Sequence, residues 1–127
     1  MLKNLLCVLC LISVVACKES SQIEQLDATS FKEMVENNEV QLVDVRTPEE
    51  FALGAIKGAK LITVDDTFIQ KANQRLDKNK PVYVYCKAGG RSNKAADLLA
   101  ADGYNKIYDL LGGVMSWQEN GYDLVKE

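Results

Sequence analysis

Histidine is absent from all 127 residues. That removes every mechanism in which an imidazole acts as base to a serine or cysteine nucleophile. Cysteine is scarce, at four residues, and three of them, Cys7, Cys10 and Cys17, crowd the N-terminus. Cys86 stands alone in the rest of the chain, and one thiol cannot assemble a zinc or transition-metal site, so no metal is expected. A basic excess is lacking too: 15 Lys and Arg stand against 18 Asp and Glu, for a formal charge of -3. Nucleic acid is therefore not an expected partner, because phosphate backbones select for positive charge. There is no run of like charges, no internal repeat and no low-complexity stretch. The length allows one domain and not two.

The longest apolar run is LLCVLCLISVVA, at residues 5–16. A membrane-spanning helix needs about 20 apolar residues. A shorter run behind a single positive charge, here Lys3, reads as a secretory signal. It ends in Val14-Val15-Ala16-Cys17, which resembles a bacterial lipobox. The expectation is a signal over residues 1–16, a lipid on Cys17, a polar tether over 17–22 and a single domain over 23–127. Such a protein would sit in the bacterial cell envelope, held to the membrane and facing the periplasm or the surface. An ordinary cleaved signal or an uncleaved anchor would also put the domain outside the cytoplasm. Cys7 and Cys10 would leave with the signal, so their spacing is not read as a redox pair. Cys86 would then be the sole thiol, unable to form an internal disulfide in an oxidising compartment.

Strand and helix signals alternate along the body of the chain. Short strands are expected over residues 22–26, 40–45, 59–63, 81–85 and 106–110. Between them, helices are expected from about residue 31, from Thr47 to near Gly54, within 65–76 with Asp65 and Asp66 capping it, and over 92–101. A last one is expected over 114–119. Thr47-Pro48-Glu49-Glu50 carries a capping threonine, a proline in the first turn and a glutamate three residues after the cap. The strand over 81–85 (PVYVY) is apolar on both faces, as in the centre of a parallel sheet. The rhythm predicts an α/β domain whose parallel sheet of about five strands has helices on both faces.

The chemistry concentrates in YVYCKAGGRSNKAA, residues 83–96. Cys86 follows the central strand, and ligands of open α/β sheets bind beyond the carboxyl ends of the strands. Gly89 and Gly90 allow successive backbone N–H groups to face one small space. A nest of that kind ahead of a helix N-terminus attracts an anion. Together with Lys87 and Arg91 it favours the thiolate, the nucleophilic form of cysteine. Burial of Cys86 as a small packing residue is the competing reading.

These segments resemble the rhodanese-like domain family. The family's Asp-x-Arg after an early strand is matched by Asp44-Val45-Arg46, ahead of Thr47-Pro48-Glu49-Glu50-Phe51 and the glycine turn Gly54-Ala55-Ile56-Lys57-Gly58-Ala59. Its active loop of Cys, four residues, Arg and a hydroxyl is matched by Cys86 through Arg91 and Ser92. A later Gly-Gly before Trp is matched by Gly112-Gly113-Val114-Met115-Ser116-Trp117. Ala55 and Lys57 depart from the family, which often has His and Pro there.

The resemblance implies a sulfurtransferase with Cys86 as nucleophile and persulfide carrier. Lys87, Ala88, Gly89, Gly90 and Arg91 would form the anion cradle, with Ser92 beside them. Asp44 and Arg46 would support the site, more as a structural ion pair or capping network than as direct participants. Thiosulfate is the type of donor implied, a thiol or a thioredoxin-like protein the type of acceptor, and no dissociable cofactor is needed. Trp117 is read as packing. A phosphatase or arsenate reductase is disfavoured, since those enzymes place five residues between Cys and Arg and this chain has four. A non-enzymatic binding or persulfide-carrier module is the other alternative.

Overall fold

A computed structural model of the chain describes residues 22–126. The expected signal, tether and lipidation site at Cys17 lie outside the described residues, and none of the described helices is long and apolar enough to cross a membrane. Ten elements alternate: β1 (Ile23–Leu26), α1 (Ala28–Asn37), β2 (Gln41–Asp44), α2 (Pro48–Leu53), β3 (Lys60–Leu61), α3 (Phe68–Arg75), β4 (Val82–Tyr85), α4 (Gly90–Ala101), β5 (Ile107–Leu110) and α5 (Gly113–Glu119). The strands form one five-stranded sheet in the order β1-β5-β4-β2-β3, and every pairing in it is parallel.

Local sequence explains most element ends. Asp27 caps α1 by accepting the Ser30 N–H at 2.8 Å. Thr47 and Glu50 form a reciprocal capping box on α2, with Pro48 in the first turn. Among the boundaries that differ from expectation, two have a plain local cause. The acidic pair at 65–66 does not open a helix, because Asp65 Oδ1 accepts both the N–H and the hydroxyl of Thr67 in a tight turn, and α3 begins only at Phe68. The helix after the cysteine begins at Gly90 rather than near Ser92, because Gly89 takes the capping position in a left-handed conformation (φ 111°).

β4 is central and all four of its side chains are buried. Alternation along it feeds two cores. Val82, Val84 and Cys86 pack with Phe68 and Ala72 of α3 and with Ala95, Ala96 and Leu99 of α4. Tyr83 and Tyr85 face the other side, with Phe31 of α1 and Val114 and Trp117 of α5. On that side Tyr83 stacks on Tyr108 at 4.9 Å between centroids and meets Phe31 edge-on at 5.8 Å. Trp117 is a packing residue, 3% exposed, with its indole N–H donating to the Asp123 carbonyl at 2.9 Å. The carboxyl ends of β2 and β4 therefore open side by side, Asp44 opposite Tyr85.

Candidate active site

Cys86 leaves the end of β4 and the chain turns at once into α4. Cys86 is almost wholly covered, at 1% exposure, while Lys87, Ala88 and Gly90 are exposed around it. The Gly89 N–H donates to Cys86 Sγ at 3.0 Å, and the thiol donates to Ser92 Oγ at 3.4 Å. The first helical hydrogen bond of α4 runs from Asn93 N–H to the Gly89 carbonyl at 3.0 Å. The amides of Gly90, Arg91 and Ser92 precede that bond and point toward the open end of the helix, where an anion is favoured. Gly90 and Arg91 thus act from the first turn of α4, not from a loop ahead of it.

A second helix holds the outer side of the loop. The N–H groups of Val114 and Met115, at the start of α5, donate to the carbonyls of Cys86 and Lys87 at 2.9 and 3.1 Å. With its carbonyls turned toward α5, the loop is free to aim its amides at the sulfur. Such close approach requires glycine: a Cβ on Gly113 (φ 59°) would lie 2.4 Å from the Cys86 carbonyl oxygen and 2.5 Å from Lys87 C and O.

Arg91 is held by Glu50 of α2. Its guanidinium forms a two-pronged ion pair with Glu50 at 2.6 and 2.9 Å. The hydrogen bond from Arg91, with smaller help from Thr47, outweighs burial and holds the Glu50 carboxyl near 2 instead of 4.5. Glu50 thereby stabilises the fold above its ordinary range, and that contribution is lost as pH falls through about 2. The pair is partly open to solvent, so its worth is discounted to about 1 kcal/mol. Glu50→Gln should lower stability at pH 7 by about that much and let Arg91 swing, while leaving stability at pH 2 nearly unchanged; denaturant melts of both proteins at the two pH values measure it.

Asp44 and Arg46 meet each other rather than the sulfur. Arg46 Nε and Nη2 reach the Asp44 carboxylate at 2.7 to 3.1 Å, and Nη2 also donates to the Gly54 carbonyl at 2.7 Å. Burial opposes the charge on Arg46, but the hydrogen bonds and charge of Asp44 win, and its pKa lies above the ordinary arginine value. The guanidinium sits 5.8 Å from the centroid of the Tyr85 ring. Burial first, then the Asp44 charge, raises Tyr85 and keeps it a neutral phenol; its oxygen accepts the Ile56 N–H at 3.0 Å. The segment carrying Ala55 and Lys57, distant from the cysteine in sequence, is thus tied to the residue just before it. Ala55 is buried and bridges Val125, whereas Lys57 is exposed.

A cavity of about 270 Å³ opens beside the loop, bounded by Arg46, Glu50, Lys87, Val114 and Met115. A larger depression of about 660 Å³, near Lys57, Trp117 and Tyr122, contains no residue of the 86–92 segment among those lining it. Of the 86–92 segment, Lys87 alone lines the smaller one.

Two acidic residues of this region were not legible as site residues in sequence. Glu50 reads as a helix cap and nothing more. Asp109 reads only as one residue of a strand, KIYDL, yet it is 1% exposed and neither of its carboxylate oxygens has a hydrogen-bond partner. Burial raises its pKa from 3.8 to about 6. Stability from this group is present below pH 4 and is lost as pH rises through about 6, at a cost of about 3 kcal/mol.

Comparison with known proteins agrees with this architecture. The model of the family described as Rhodanese-like domain matches residues 27–120. A protein named sulfurtransferase from Allochromatium vinosum is 31% identical over 104 residues, covering 81% of this chain and 95% of that protein. Thiosulfate sulfurtransferase 16 of Arabidopsis thaliana is 35% identical over 89 residues, covering 62% of this chain and 74% of that protein. The crystal structure of a rhodanese-like domain protein from Staphylococcus aureus superimposes with a TM-score of 0.70 at 35% identity, over 82% of this chain and 98% of that one. With three-quarters of its length matched and the doubly covered parallel sheet in place, the chain belongs to the rhodanese-like domain family.

Proposed function

We propose that this protein is a sulfurtransferase that carries sulfane sulfur as a persulfide on Cys86. The observation that carries the reading is the Gly89 N–H directed at Sγ at 3.0 Å beneath the open amides of Gly90, Arg91 and Ser92. These donors are fixed before reaction, so charge on the sulfur or on an attached second sulfur is met without reorganisation. In the first step the Cys86 thiolate attacks the outer sulfur of a thiosulfate-like donor. The new S–S bond forms as the donor's own S–S bond breaks, and sulfite leaves with the bonding pair. In the second step a nucleophile takes the terminal sulfur and the Cys86 thiolate is released. Cyanide serves in the assay and a thiol in the cell, for which a thioredoxin-like protein is a fitting partner. This is covalent catalysis in two displacements, and Lys87 at the mouth adds positive charge for an anionic donor.

Thiocyanate production from thiosulfate and cyanide tests it. Saturable turnover is expected. A folded protein with a titratable Cys86 that forms no thiocyanate from thiosulfate or from a small organic persulfide would remove the reading. A carrier or binding module is the second reading, favoured by the 1% exposure of Cys86. A binding module would prevail if Cys86→Ser left the cellular role intact, and a carrier if Cys86 took up sulfur without catalytic turnover.

The envelope location is part of the proposal and rests on the apolar run at 5–16 followed by Cys17. Cys17→Ala should move the protein from the membrane fraction to the soluble fraction, and an unchanged distribution would refute the anchor.

A further inference from the structure

Four large apolar side chains stand exposed among the described residues: Met34, Leu53, Leu111 and Met115. Single exposed apolar residues are ordinary on a protein surface. Here the placement matters, because Met34 lies on α1 while the other three border the Cys86 loop. Leu53, 77% exposed at the end of α2, and Met115, 46% exposed in the first turn of α5, line one cavity together with Lys87. Leu111, 53% exposed, follows the carboxyl end of β5. It is joined to Gly112, whose amide nitrogen would lie 3.7 Å from a Cβ on Gly89. Apolar groups gathered at one place mark a contact surface. Transfer of sulfur to an anion as small as cyanide has no use for them, since charge and amides suffice to receive it.

We propose that Leu53, Leu111 and Met115 form the docking surface for a protein that brings the sulfur-accepting thiol to Cys86. The partner is a dithiol protein whose reactive cysteine is exposed, surrounded by apolar side chains and edged by acidic ones. The inference rests on the assignment of Cys86 as the sulfur carrier and names its acceptor. Charge sets the sign of the partner's edge. Arg46 and Arg91 are closed in ion pairs with Asp44 and Glu50, which leaves Lys87, exposed and without an ion-pair partner among the described residues, to attract acidic groups. Area argues against a second copy of the chain as the occupant: three partly exposed side chains fall short of the roughly 800 Å² per partner that a stable interface buries. A small patch with an adaptable methionine suits a brief encounter. In that encounter the partner's thiolate attacks the terminal sulfur of the Cys86 persulfide. A new S–S bond forms, the old one breaks, and the bonding pair returns to the Cys86 thiolate. The partner's second thiol then attacks its own persulfide. That closes a disulfide and releases hydrogen sulfide, so the dithiol is oxidised by two electrons and the sulfane sulfur is reduced by two.

The test compares two dithiol acceptors, reduced thioredoxin and dithiothreitol, with the full chain and thiosulfate, reading hydrogen sulfide release. Wild type should show a kcat/KM at least about thirtyfold higher for thioredoxin, because only a protein can use the patch. Leu53→Ser and Leu111→Ser should each lower the thioredoxin value at least about fivefold, mostly through KM. Their rates with dithiothreitol, and with cyanide, should stay within about twofold of wild type, since exposed substitutions leave the fold intact. Thioredoxin reacting no faster than dithiothreitol would overturn the proposal. So would equal losses with all three acceptors, which would make the two leucines structural. A wild-type dimer in sedimentation that both variants dissociate would assign the patch to a second copy and overturn it as well. Mass analysis of the Cys86 peptide separates the two levels. If thiosulfate and an organic persulfide both leave Cys86 unmodified, the functional reading itself fails and the docking surface falls with it. If Cys86 is loaded and thiocyanate forms while thioredoxin gains nothing over dithiothreitol, the docking surface alone fails.

Discussion

Replacing Cys86 by serine should abolish sulfur transfer, lowering thiocyanate formation by at least about a thousandfold, as loss of a covalent nucleophile does. The fold should survive. Serine is close to cysteine in size, and Ser92 Oγ and the Gly89 N–H, which contact Sγ at 3.4 and 3.0 Å, can both engage a hydroxyl. The loss should therefore lie in turnover and not in thermal stability. A serine hydroxyl cannot replace the thiol, because it is a far weaker nucleophile at neutral pH and the chain has no histidine to activate it. Rates and melting curves of the two proteins, measured side by side, check both halves of this expectation.

Gly113→Ala should be the most damaging substitution outside the cysteine itself. The added Cβ would lie 2.4 Å from the Cys86 carbonyl oxygen, and the residue holds φ at 59°. Backbone lies on the far side of that contact, so no side chain can swing away. Either α5 retreats, breaking the bonds from Val114 and Met115 to the loop carbonyls, or the loop turns and takes the Gly89 amide off the sulfur. Steric strain and an unfavourable backbone conformation together should cost roughly 3 kcal/mol, lowering the melting temperature by more than about 10 °C. Sulfur transfer should fall even at temperatures where the variant is folded. Melting curves and turnover at low temperature would separate the two effects. Gly58→Ala is the control, since nothing lies within 4 Å of its added Cβ despite a φ of 86°; it should leave turnover unchanged.

The order of elements was legible because the central strands carry their own apolar pattern and α1 and α2 their own side-chain caps. The cradle was legible because a cysteine, two glycines and a helix follow a fully apolar strand, and few other functions suit that order. What escaped reading depends on contacts between distant segments. Glu50 and Arg91 are 41 residues apart, and the glutamate already had a local task in the capping box of α2. No local signal ties it to the loop. Asp109 was hidden by register. Whether a strand residue faces water or core depends on its pairing, here with Val84 on one side and Gln25 on the other. The start of α4 was misplaced for a different reason: Ser92 has the composition of a cap, but Gly89 has the backbone freedom, and its left-handed φ decided the boundary. Ala55 and Lys57 looked remote from the cysteine until the Ile56 amide was found on the Tyr85 hydroxyl.

The account depends on sulfur becoming covalently attached to Cys86. The most direct test is mass analysis of the Cys86 peptide after the full chain is treated with thiosulfate, beside Cys86→Ser treated alike. A gain of one sulfur atom on that peptide, removed by cyanide and absent from the variant, is the predicted result. An unmodified Cys86 peptide, from folded protein whose thiol still reacts with iodoacetamide, would contradict thiosulfate as the donor; the same result with an organic persulfide would contradict sulfur transfer itself.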